Sequence, residues 1–317
     1  EVLARGDDRT MINTWLTDPA KPFFNRAISG LYTPGSIVKT IMATAALNEK
    51  VITPEKEIIS TGALTLPNPF NPDEPSIFKD WKAHGAVDIR RALAVSSNVY
   101  FYEVGGGFED QKGLGIMRID KYAKLFGLGE PTGINWPSEE AGVIPTPEWK
   151  EKFFPGDPWR VGDTYHTSIG QYGFQVTPLQ MARVAAAIAN DGDLVTPTVL
   201  SATSTDFVLK PKSIKNSLRP EVLKIVREGM RQAVTDGTGT GLNVPYVEIA
   251  AKTGTAELGT TKEAVTSWVI GFFPYTAPRY AFAVAMERGR RENTIGGVFI
   301  MRQFFDWLST TAPEYLQ

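Results

Sequence analysis

The chain has 317 residues, of which 42% are hydrophobic and 21% are charged, and its net charge is −2. This composition is typical of a globular protein, and it lacks the basic excess with which proteins bind nucleic acids. There is no cysteine and there are two histidines, His84 and His166, so the sequence excludes disulfides and thiolate ligands and gives no basis for a multi-histidine metal centre. We therefore expect no nucleic-acid partner, no metal and no cofactor.

The first predicted helix covers residues 36–49. The dipeptide Pro34-Gly35 is a turn signal, and apolar residues recur at every fourth position from Ile37 onward. This pattern predicts an amphipathic helix that begins at Ser36. The backbone N–H of a serine at a helix start has no partner within the helix, so it is free to hold a developing oxyanion.

Further helices are predicted through the middle of the chain and at its end. Residues 67–75 contain four prolines, which a regular element does not accommodate, so this segment is predicted to be a loop. Amphipathic patterns predict helices that cover residues 88–93, 121–126, 178–190, 222–234 and 299–308.

The last third of the chain also contains strand patterns. Residues 249–256, 264–273 and 280–287 are strand-like, and the segment 274–278 joins the last two in the manner of a hairpin. Another strand is predicted at residues 2–4. The expected fold class is α/β, of the α+β type, with an antiparallel sheet flanked by helices.

The first of three short motifs is Ser36-Ile-Val-Lys39. Residues three apart share one face of a helix, so Lys39 is expected within reach of the Ser36 hydroxyl. A lysine acts as a general base only when it is neutral, and burial or a neighbouring cation lowers its pKa. The same spacing recurs in Ser76-Ile-Phe-Lys79, which we discount because it follows the proline-rich loop and precedes no apolar helix.

The second motif, Ser96-Ser97-Asn98, occurs once. Serine and asparagine also favour turns and helix caps, so the triplet by itself is a weak functional signal. In a catalytic site, the Ser96 hydroxyl is suited to pass a proton between Lys39 and a leaving group. The Asn98 amide is suited to hydrogen bonding with a peptide backbone.

The third motif, Lys252-Thr253-Gly254, also occurs once. An exposed strand can carry Lys-Thr without any function, but a strand edge with a lysine and hydroxyl groups suits an anionic peptide terminus. Gly254 would allow a substrate backbone to lie close to the strand. A phosphate-binding loop is excluded, because Ala251 stands where that motif requires glycine.

In this order, the three motifs are typical of serine β-lactamases and penicillin-binding proteins. The chain resembles the class B penicillin-binding proteins, and within them the elongation-type penicillin-binding protein 2 group. The resemblance runs from about residue 25 to the C-terminus. It rests on the segments Asn25-Arg-Ala-Ile-Ser-Gly30, Tyr32-Thr-Pro-Gly-Ser36, His84-Gly-Ala-Val-Asp88, Ser97-Asn-Val-Tyr-Phe-Tyr102, Ser168-Ile-Gly-Gln171, Val176-Thr-Pro-Leu-Gln180 and Ala251-Lys-Thr-Gly-Thr-Ala256.

The resemblance implies a single transpeptidase domain over residues 1–317. In the family, a sheet covered by helices forms an α/β subdomain, an all-helical subdomain is inserted into it, and the active site lies between the two. Here the α/β subdomain is expected at about residues 1–60 and 192–317, and the helical subdomain at about residues 61–191.

The resemblance also implies roles for the residues of the first two motifs. Ser36 is expected to be the acylated nucleophile and Lys39 the base that activates it. Ser96 and Asn98 are expected to complete the catalytic set from the helical side of the cleft.

The third motif is expected to bind the carboxylate at the end of the substrate through Lys252, Thr253 and Thr255, with Gly254 in the same substrate-binding strand. Lys252 is also expected to belong to the catalytic set. The backbone N–H groups of Ser36 and Thr255 are expected to form the oxyanion hole.

The reaction implied by the resemblance is D,D-transpeptidation. Ser36 attacks the carbonyl between the last two D-alanines of a peptidoglycan stem peptide, D-Ala leaves, and an amine from a second stem peptide resolves the acyl-enzyme. β-Lactam antibiotics resemble the donor terminus and acylate the same serine.

The family resemblance further implies a membrane glycosyltransferase of the elongation machinery as a partner. It implies a place at the bacterial cytoplasmic membrane, with the catalytic domain on the outer, periplasmic side. The anchor and the N-terminal pedestal of the family are absent from this sequence, so we expect a catalytic domain alone.

Related functions of the same fold stay open. A serine β-lactamase has the same motifs, but the chain has no E-x-x-L-N segment of the class A type, and Asn98 stands where the class D type usually has a hydrophobic residue. A D,D-carboxypeptidase would pass the acyl group to water. A β-lactam sensor or a silent scaffold is disfavoured by the presence of every motif residue.

Two departures from the family pattern bear on the shape of the cleft. Ala251 stands where glycine usually precedes Lys-Thr-Gly, and Gly170-Gln-Tyr-Gly173 stands where the family usually has G-Q-G-Y. Trp81 and His84 precede the second motif, and we expect them to pack rather than to act at the rim of the cleft.

Overall fold

A computed structural model of the chain describes residues 6, 8–68, 71, 73–200, 212–213, 218–259, 263–291 and 296–317. The strand predicted at residues 2–4 lies outside these ranges. Within them, no helix is both long enough and apolar enough to cross a membrane.

Helices account for most of the regular structure in this part of the chain. The α-helices are α1 (Arg9–Thr17), α2 (Arg26–Ser29), α3 (Lys39–Asn48), α4 (Ile89–Val95), α5 (Asn98–Gly106), α6 (Ile116–Leu125), α7 (Pro147–Phe153), α8 (Val161–Ser168), α9 (Pro178–Ala189), α10 (Pro220–Asp236) and α11 (Gly297–Thr311). Short 3₁₀ turns cover Gly35–Val38, Thr240–Leu242 and Pro313–Leu316.

The strands form one three-stranded sheet and three two-stranded pairs, all antiparallel. The strands are β1 (Ile58–Ser60), β2 (Ala63–Leu66), β3 (Ser76–Lys79), β4 (Gly85–Val87), β5 (Asp193–Leu194), β6 (Lys212–Ser213), β7 (Ala250–Leu258), β8 (Ala264–Phe273) and β9 (Tyr280–Arg290). The small pairs are β1 with β4, β2 with β3 and β5 with β6.

The main sheet has the order β7-β8-β9, so the predicted hairpin between the last two strands is confirmed. Side chains alternate between its two faces. Trp268 and Ile270 join one buried cluster, which extends into α3, α4 and α10. Val269 and Phe273 join a second cluster, in which they pack with Phe305 of α11. The sheet is therefore flanked by helices on both faces, as the sequence predicts.

Helix α3 lies at the centre of the larger cluster. Every residue from Lys39 to Leu47 is buried. A helix that is buried all round has a fixed axis, because packing constrains it on every side. The 3₁₀ turn Gly35–Val38 leads directly into α3 and is therefore held by the core.

The predicted helices in the middle and at the end of the chain are confirmed as α4, α6, α9, α10 and α11, with ends that differ by up to five residues. The helix predicted over residues 36–49 is confirmed as α3, except that its first turn is 3₁₀. Helices α1, α2, α7 and α8 and the short strands β1 to β6 were not predicted.

The division into two subdomains stays a prediction. Helix α9, which lies in the predicted helical subdomain, packs against β8 and β9 of the sheet. Helices α5 and α8 pack on each other, and α5 also contacts α3, α6, and strands β1 to β3.

Candidate active site

Ser36 lies half-buried in the 3₁₀ turn Gly35–Val38. Gly35 has a φ of +57°, and a Cβ built on it would lie 2.7 Å from the carbonyl oxygen of Thr255. Its N–H donates to the carbonyl oxygen of Gly170 at 3.0 Å. The backbone beside Ser36 is therefore held between strand β7 and the turn that contains Gly170.

Lys39 begins α3 and is fully buried. Its Nζ donates to the carbonyl oxygen of Ser96 at 2.8 Å and to Asn98 Oδ1 at 2.7 Å, and lies 3.4 Å from Ser96 Oγ. Burial lowers the pKa of Lys39 to about 7, although the negative charge of Asp80 acts in the opposite direction. A lysine with this pKa is partly neutral near pH 7, which a general base requires.

Ser96 ends helix α4 in the left-handed conformation, with a φ of +59° and a ψ of +40°. This conformation is uncommon for residues other than glycine, and such strain concentrates at functional sites. The buried Ser96 hydroxyl accepts a hydrogen bond from Lys252 Nζ at 2.8 Å and lies close to Lys39 Nζ. The left-handed turn thus places one hydroxyl between two lysines.

Asn98 is the first residue of α5, and its backbone N–H donates to the carboxylate of Asp80. The motifs did not identify Asp80. The Asp80 Oδ2 atom accepts from the N–H groups of Asn98 at 2.7 Å and Val99 at 3.0 Å, and from Ser97 Oγ at 2.8 Å. Burial would raise the pKa of the Asp80 carboxyl, but these hydrogen bonds and the charge of Lys39 outweigh it, so the pKa lies below its ordinary value.

Lys252 is fully buried on strand β7, and its Nζ donates to Ser96 Oγ and, at 2.8 Å, to the carbonyl oxygen of Thr253. Burial and the charge of Lys39 lower the pKa of Lys252 well below its ordinary value. The same face of the strand carries Gly254, where a Cβ would lie 2.9 Å from the carbonyl oxygen of Pro34. Glycine there lets the strand pack on the turn that carries Ser36.

Thr253 and Thr255 lie on the opposite face of β7 from Lys252, because side chains alternate along a strand. Thr253 is half-buried and Thr255 is exposed. The hydroxyl of Thr253 lies 2.5 Å from that of Thr238, which lies in the glycine-rich segment after α10. Thr238 is a second residue that the motifs did not identify. The face therefore presents a row of hydroxyl groups.

The sequence profile of the penicillin binding protein transpeptidase domain matches residues 1–298. The chain belongs to this family. The peptidoglycan D,D-transpeptidase MrdA of Acinetobacter baumannii is 33% identical over 315 residues, which cover 92% of this chain and 44% of that protein. The chain thus spans less than half the length of this curated relative.

Solved structures of family members have the same fold. Pseudomonas aeruginosa PBP2, in complex with WCK 5153, is similar with a TM-score of 0.82 at 28% identity, covering 96% of this chain and 68% of that one. A chain from a peptidoglycan synthase complex that coordinates polymerization and crosslinking is similar with a TM-score of 0.77 at 27% identity, covering 94% of this chain and 49% of that one. The predicted resemblance to penicillin-binding protein 2 is confirmed.

Three other residues were considered in the sequence, namely Ser76, Trp81 and His84. Ser76 lies on strand β3 and not on a helix, which removes the geometric basis of the second Ser-x-x-Lys pattern. The predicted packing role is confirmed for His84, whose side chain is 2% exposed and packs 5.0 Å from the Trp81 ring. Trp81 itself is 57% exposed, and its indole N–H donates to the carbonyl oxygen of Val95, next to Ser96.

The candidate site of this chain therefore combines a serine held by its backbone, two buried lysines and a row of threonine hydroxyls. Among the described residues, no group of three or more histidine, aspartate or glutamate side chains is arranged to hold a metal ion. The side chains present are those of nucleophilic catalysis assisted by a general base.

Proposed function

We propose that this chain is a peptidoglycan D,D-transpeptidase domain in which Ser36 forms the acyl-enzyme. The observation that carries the proposal is the convergence of the three motifs on Ser96. Lys39 and Lys252 both reach its hydroxyl, and Asn98 binds the same ammonium of Lys39. Strand β7 packs on the turn that carries Ser36, so the three motifs adjoin one another.

In the first step, neutral Lys39 takes the proton of the Ser36 hydroxyl. The Ser36 oxygen forms a bond to the penultimate D-Ala carbonyl carbon of the donor stem peptide, and the backbone N–H groups of Ser36 and Thr255 stabilise the oxyanion. The bond to the terminal D-Ala nitrogen then breaks, and that nitrogen receives a proton through Ser96. Lys39 supplies this proton and thereby returns to its neutral form.

The substrate is oriented by both walls of the cleft. Thr253 and Thr255 present their hydroxyls on the face of β7 opposite Lys252, and we assign them, with the backbone at Gly254, to the donor carboxylate. The Asn98 amide is assigned to the peptide backbone of the donor. Lys252 is assigned to Ser96, because its Nζ is buried and donates to that hydroxyl.

In the second step, the amine of an acceptor stem peptide attacks the acyl carbon. The acceptor nitrogen bonds to the acyl carbon and gives up a proton, which Ser96 and Lys39 relay to the Ser36 oxygen as its bond to that carbon breaks. The crosslink forms, and Ser36 and neutral Lys39 are restored. A D,D-carboxypeptidase would use water in place of the amine. A β-lactam acylates Ser36 in the same way, but its leaving nitrogen stays tethered to the acyl group.

The partners and location of the whole protein are proposed from the family relationship. The similar chain in a peptidoglycan synthase complex supports a glycosyltransferase of the elongation machinery as a partner. The relatives named penicillin-binding protein 2 and MrdA support a site of action at the bacterial cytoplasmic membrane, with this domain on the periplasmic side.

We also propose that residues 1–60 and 192–317 form an α/β subdomain and residues 61–191 a helical one, apart from α9.

Acylation is tested by incubation of the chain with a fluorescent penicillin, followed by measurement of intact mass and by peptide mapping. We expect a stable adduct on Ser36 that is lost in Ser36→Ala and kept in the matched variant Ser76→Ala. Labelling that persists in Ser36→Ala would show that another residue is the nucleophile. Rapid turnover of the penicillin would indicate a β-lactamase.

The fate of the acyl-enzyme is tested with a stem pentapeptide donor and a D-amino acid or stem-peptide amine as acceptor. Transpeptidation yields the crosslinked or exchanged product together with free D-Ala, both measured by mass spectrometry. Release of D-Ala with only the hydrolysed tetrapeptide, at every acceptor concentration, would indicate a carboxypeptidase instead.

A further inference from the structure

The carboxylate of Asp80 accepts three hydrogen bonds from the segment 97–99, which includes two residues of the second motif. Its Oδ2 atom binds the hydroxyl of Ser97 and the N–H groups of Asn98 and Val99. Its Oδ1 atom accepts from the N–H of Trp81 at 2.8 Å. The side chain is 0% exposed, so these bonds form without competition from water.

This arrangement exceeds ordinary helix capping. Helix α5 already has its own N-cap, because the Ser97 hydroxyl accepts from the N–H of Tyr100. Asp80 adds a full negative charge next to the N–H groups of Asn98 and Val99, which precede Tyr100 in the first turn. The positive end of the helix dipole lies at this turn. Since Asp80 follows strand β3, it ties that strand to the start of α5.

The same carboxylate is coupled to the general base. Asn98 Oδ1 accepts from Lys39 Nζ at 2.7 Å, while the backbone N–H of Asn98 donates to Asp80. The negative charge of Asp80 also acts directly on Lys39. Asp80 therefore contributes both the position of the Asn98 acceptor and an electrostatic field at the lysine.

We propose that Asp80 is a positioning residue for acylation: it fixes the Ser97–Val99 turn so that Ser96 and Asn98 hold Lys39 beside Ser36. The proposal rests on the function proposed above and deepens it. Asp80 acts through Lys39 and Asn98, and it does not contact the substrate.

Two substitutions separate the effect of the position of the Asp80 carboxylate from the effect of its charge. In Asp80→Asn, the side chain keeps its size but loses its charge and one acceptor. In Asp80→Glu, the charge stays but moves. The titratable groups that face the Asp80 carboxylate are Lys39, His84 and the hydroxyl of Tyr102, while Lys252 faces Lys39 from strand β7.

The expected pH effect follows from the sign of the charge. A negative charge favours protonated Lys39, so its removal lets the lysine lose its proton at lower pH. The pH at which the acylation rate rises from its low value in acid is expected to be lower in Asp80→Asn. It is expected to be unchanged in Asp80→Glu. The plateau rate is expected to fall in both, by up to about 100-fold, because a displaced turn misplaces the base.

Asp88→Asn is the matched control. Asp88 caps the preceding helix α4 by accepting from the N–H of Arg91 at 2.8 Å, and asparagine caps helices as well as aspartate. This variant makes the same chemical change at a neighbouring helix start. We expect wild-type acylation with a wild-type dependence on pH.

Two measurements decide the proposal. Acylation by a fluorescent penicillin is followed against pH in all four proteins, and Lys39 is titrated by NMR with lysine labelled at the ε-carbon, which needs no substrate. A downward shift of the Lys39 titration in Asp80→Asn, absent in Asp88→Asn, supports the proposal.

An unchanged Lys39 titration together with an unchanged acylation profile in Asp80→Asn would overturn it. If the wild-type chain takes no label on Ser36, the proposed function fails, while the titration still decides whether Asp80 controls Lys39. Should Asp80→Asn not fold, Asp80→Glu decides alone: a wild-type plateau rate in a folded Asp80→Glu protein contradicts a positioning role.

Discussion

Lys252 Nζ donates a hydrogen bond of 2.8 Å to the Ser96 hydroxyl and thereby joins strand β7 to the end of helix α4. The same hydroxyl lies 3.4 Å from Lys39 Nζ. Two buried amines so close to one another favour states in which at least one is neutral, because charge in a buried site is costly. Ser96 is therefore placed to exchange a proton with either lysine.

Ser96→Ala removes this hydroxyl and leaves both lysines in place. If Ser96 transfers the proton to the leaving group, the acylation rate constant should fall by about 10²–10⁴-fold, as for other lost general acid–base steps. The rate is measured with a fluorescent penicillin, and Ser76→Ala serves as the control. Wild-type acylation by a folded Ser96→Ala protein would remove Ser96 from the mechanism.

The acylation rate should depend on pH through the Lys39 and Lys252 pair. Burial places the pKa of Lys39 at about 7, and the base must be neutral to accept the Ser36 proton. The rate constant should therefore be low in acid, rise through about pH 7 and level off above it, with an apparent pKa that belongs to the coupled pair.

Lys39→Arg tests this assignment, because an arginine keeps the positive charge and does not become neutral in this range. Labelling by a fluorescent penicillin should be lower than in the wild type by at least about 10²-fold at every pH. A wild-type rate that does not change between acid and neutral pH would contradict a lysine base of this pKa.

The catalytic candidates were predicted from the sequence because their spacing along the chain is informative. Asp80 and Thr238 could not be found this way, since each is an isolated polar residue whose role arises from contacts with distant segments. The sequence suggested that Gly254 makes room for a substrate backbone. The structure adds a second reason for glycine, which is the close packing of β7 on the turn of Ser36.

The fold was predicted best where apolar periodicity is strong. The long helices and the three main strands have this pattern, whereas helix α8 buries Thr164, Thr167 and Ser168 together with Tyr165. Helix α7 buries only Lys150. Hydrophobic periodicity does not reveal helices whose buried residues are polar. The short strands β1 to β4 have three or four residues each, too few for a reliable alternation.

Thr238→Val should weaken the binding of substrate or penicillin more than the chemical step. The Thr238 hydroxyl is bonded to that of Thr253. Its loss leaves the Thr253 side chain free to rotate away from the position proposed for the donor carboxylate. One such hydrogen bond contributes about 1 kcal/mol, which corresponds to about a fivefold weaker apparent affinity. Saturation kinetics of acylation separate the two effects.

Thr235→Val is the control for this substitution, because Thr235 is exposed in the last turn of α10, shortly before Thr238, and its hydroxyl donates to carbonyl oxygens within α10. It should leave acylation unchanged. Equal effects of both substitutions would mean that the Thr238 hydroxyl has no particular role in the cleft.

Gly170 contacts the backbone next to Ser36, the proposed nucleophile. Its carbonyl oxygen accepts from the N–H of Gly35, its φ is +76°, and a Cβ at this position would lie 2.2 Å from the carbonyl oxygen of Gly35. A side chain at residue 170 must therefore displace the peptide that leads into Ser36. Gly156 has a similar φ of +80°, but a Cβ there would meet nothing within 4 Å.

Both Gly170→Ala and Gly156→Ala place a side chain at a positive φ, which strains the backbone. Only the Cβ of Gly170→Ala also collides with the Gly35 carbonyl oxygen. Strain alone costs about 1–2 kcal/mol of unfolding free energy, and overpacking adds about 1–3 kcal/mol. Chemical denaturation should show the smaller loss for Gly156→Ala and the sum for Gly170→Ala. Acylation under native conditions should fall in Gly170→Ala alone, by up to about 100-fold, because the Ser36 backbone moves. Equal stability losses with wild-type acylation in both variants would show that the Gly170 contact does not position Ser36.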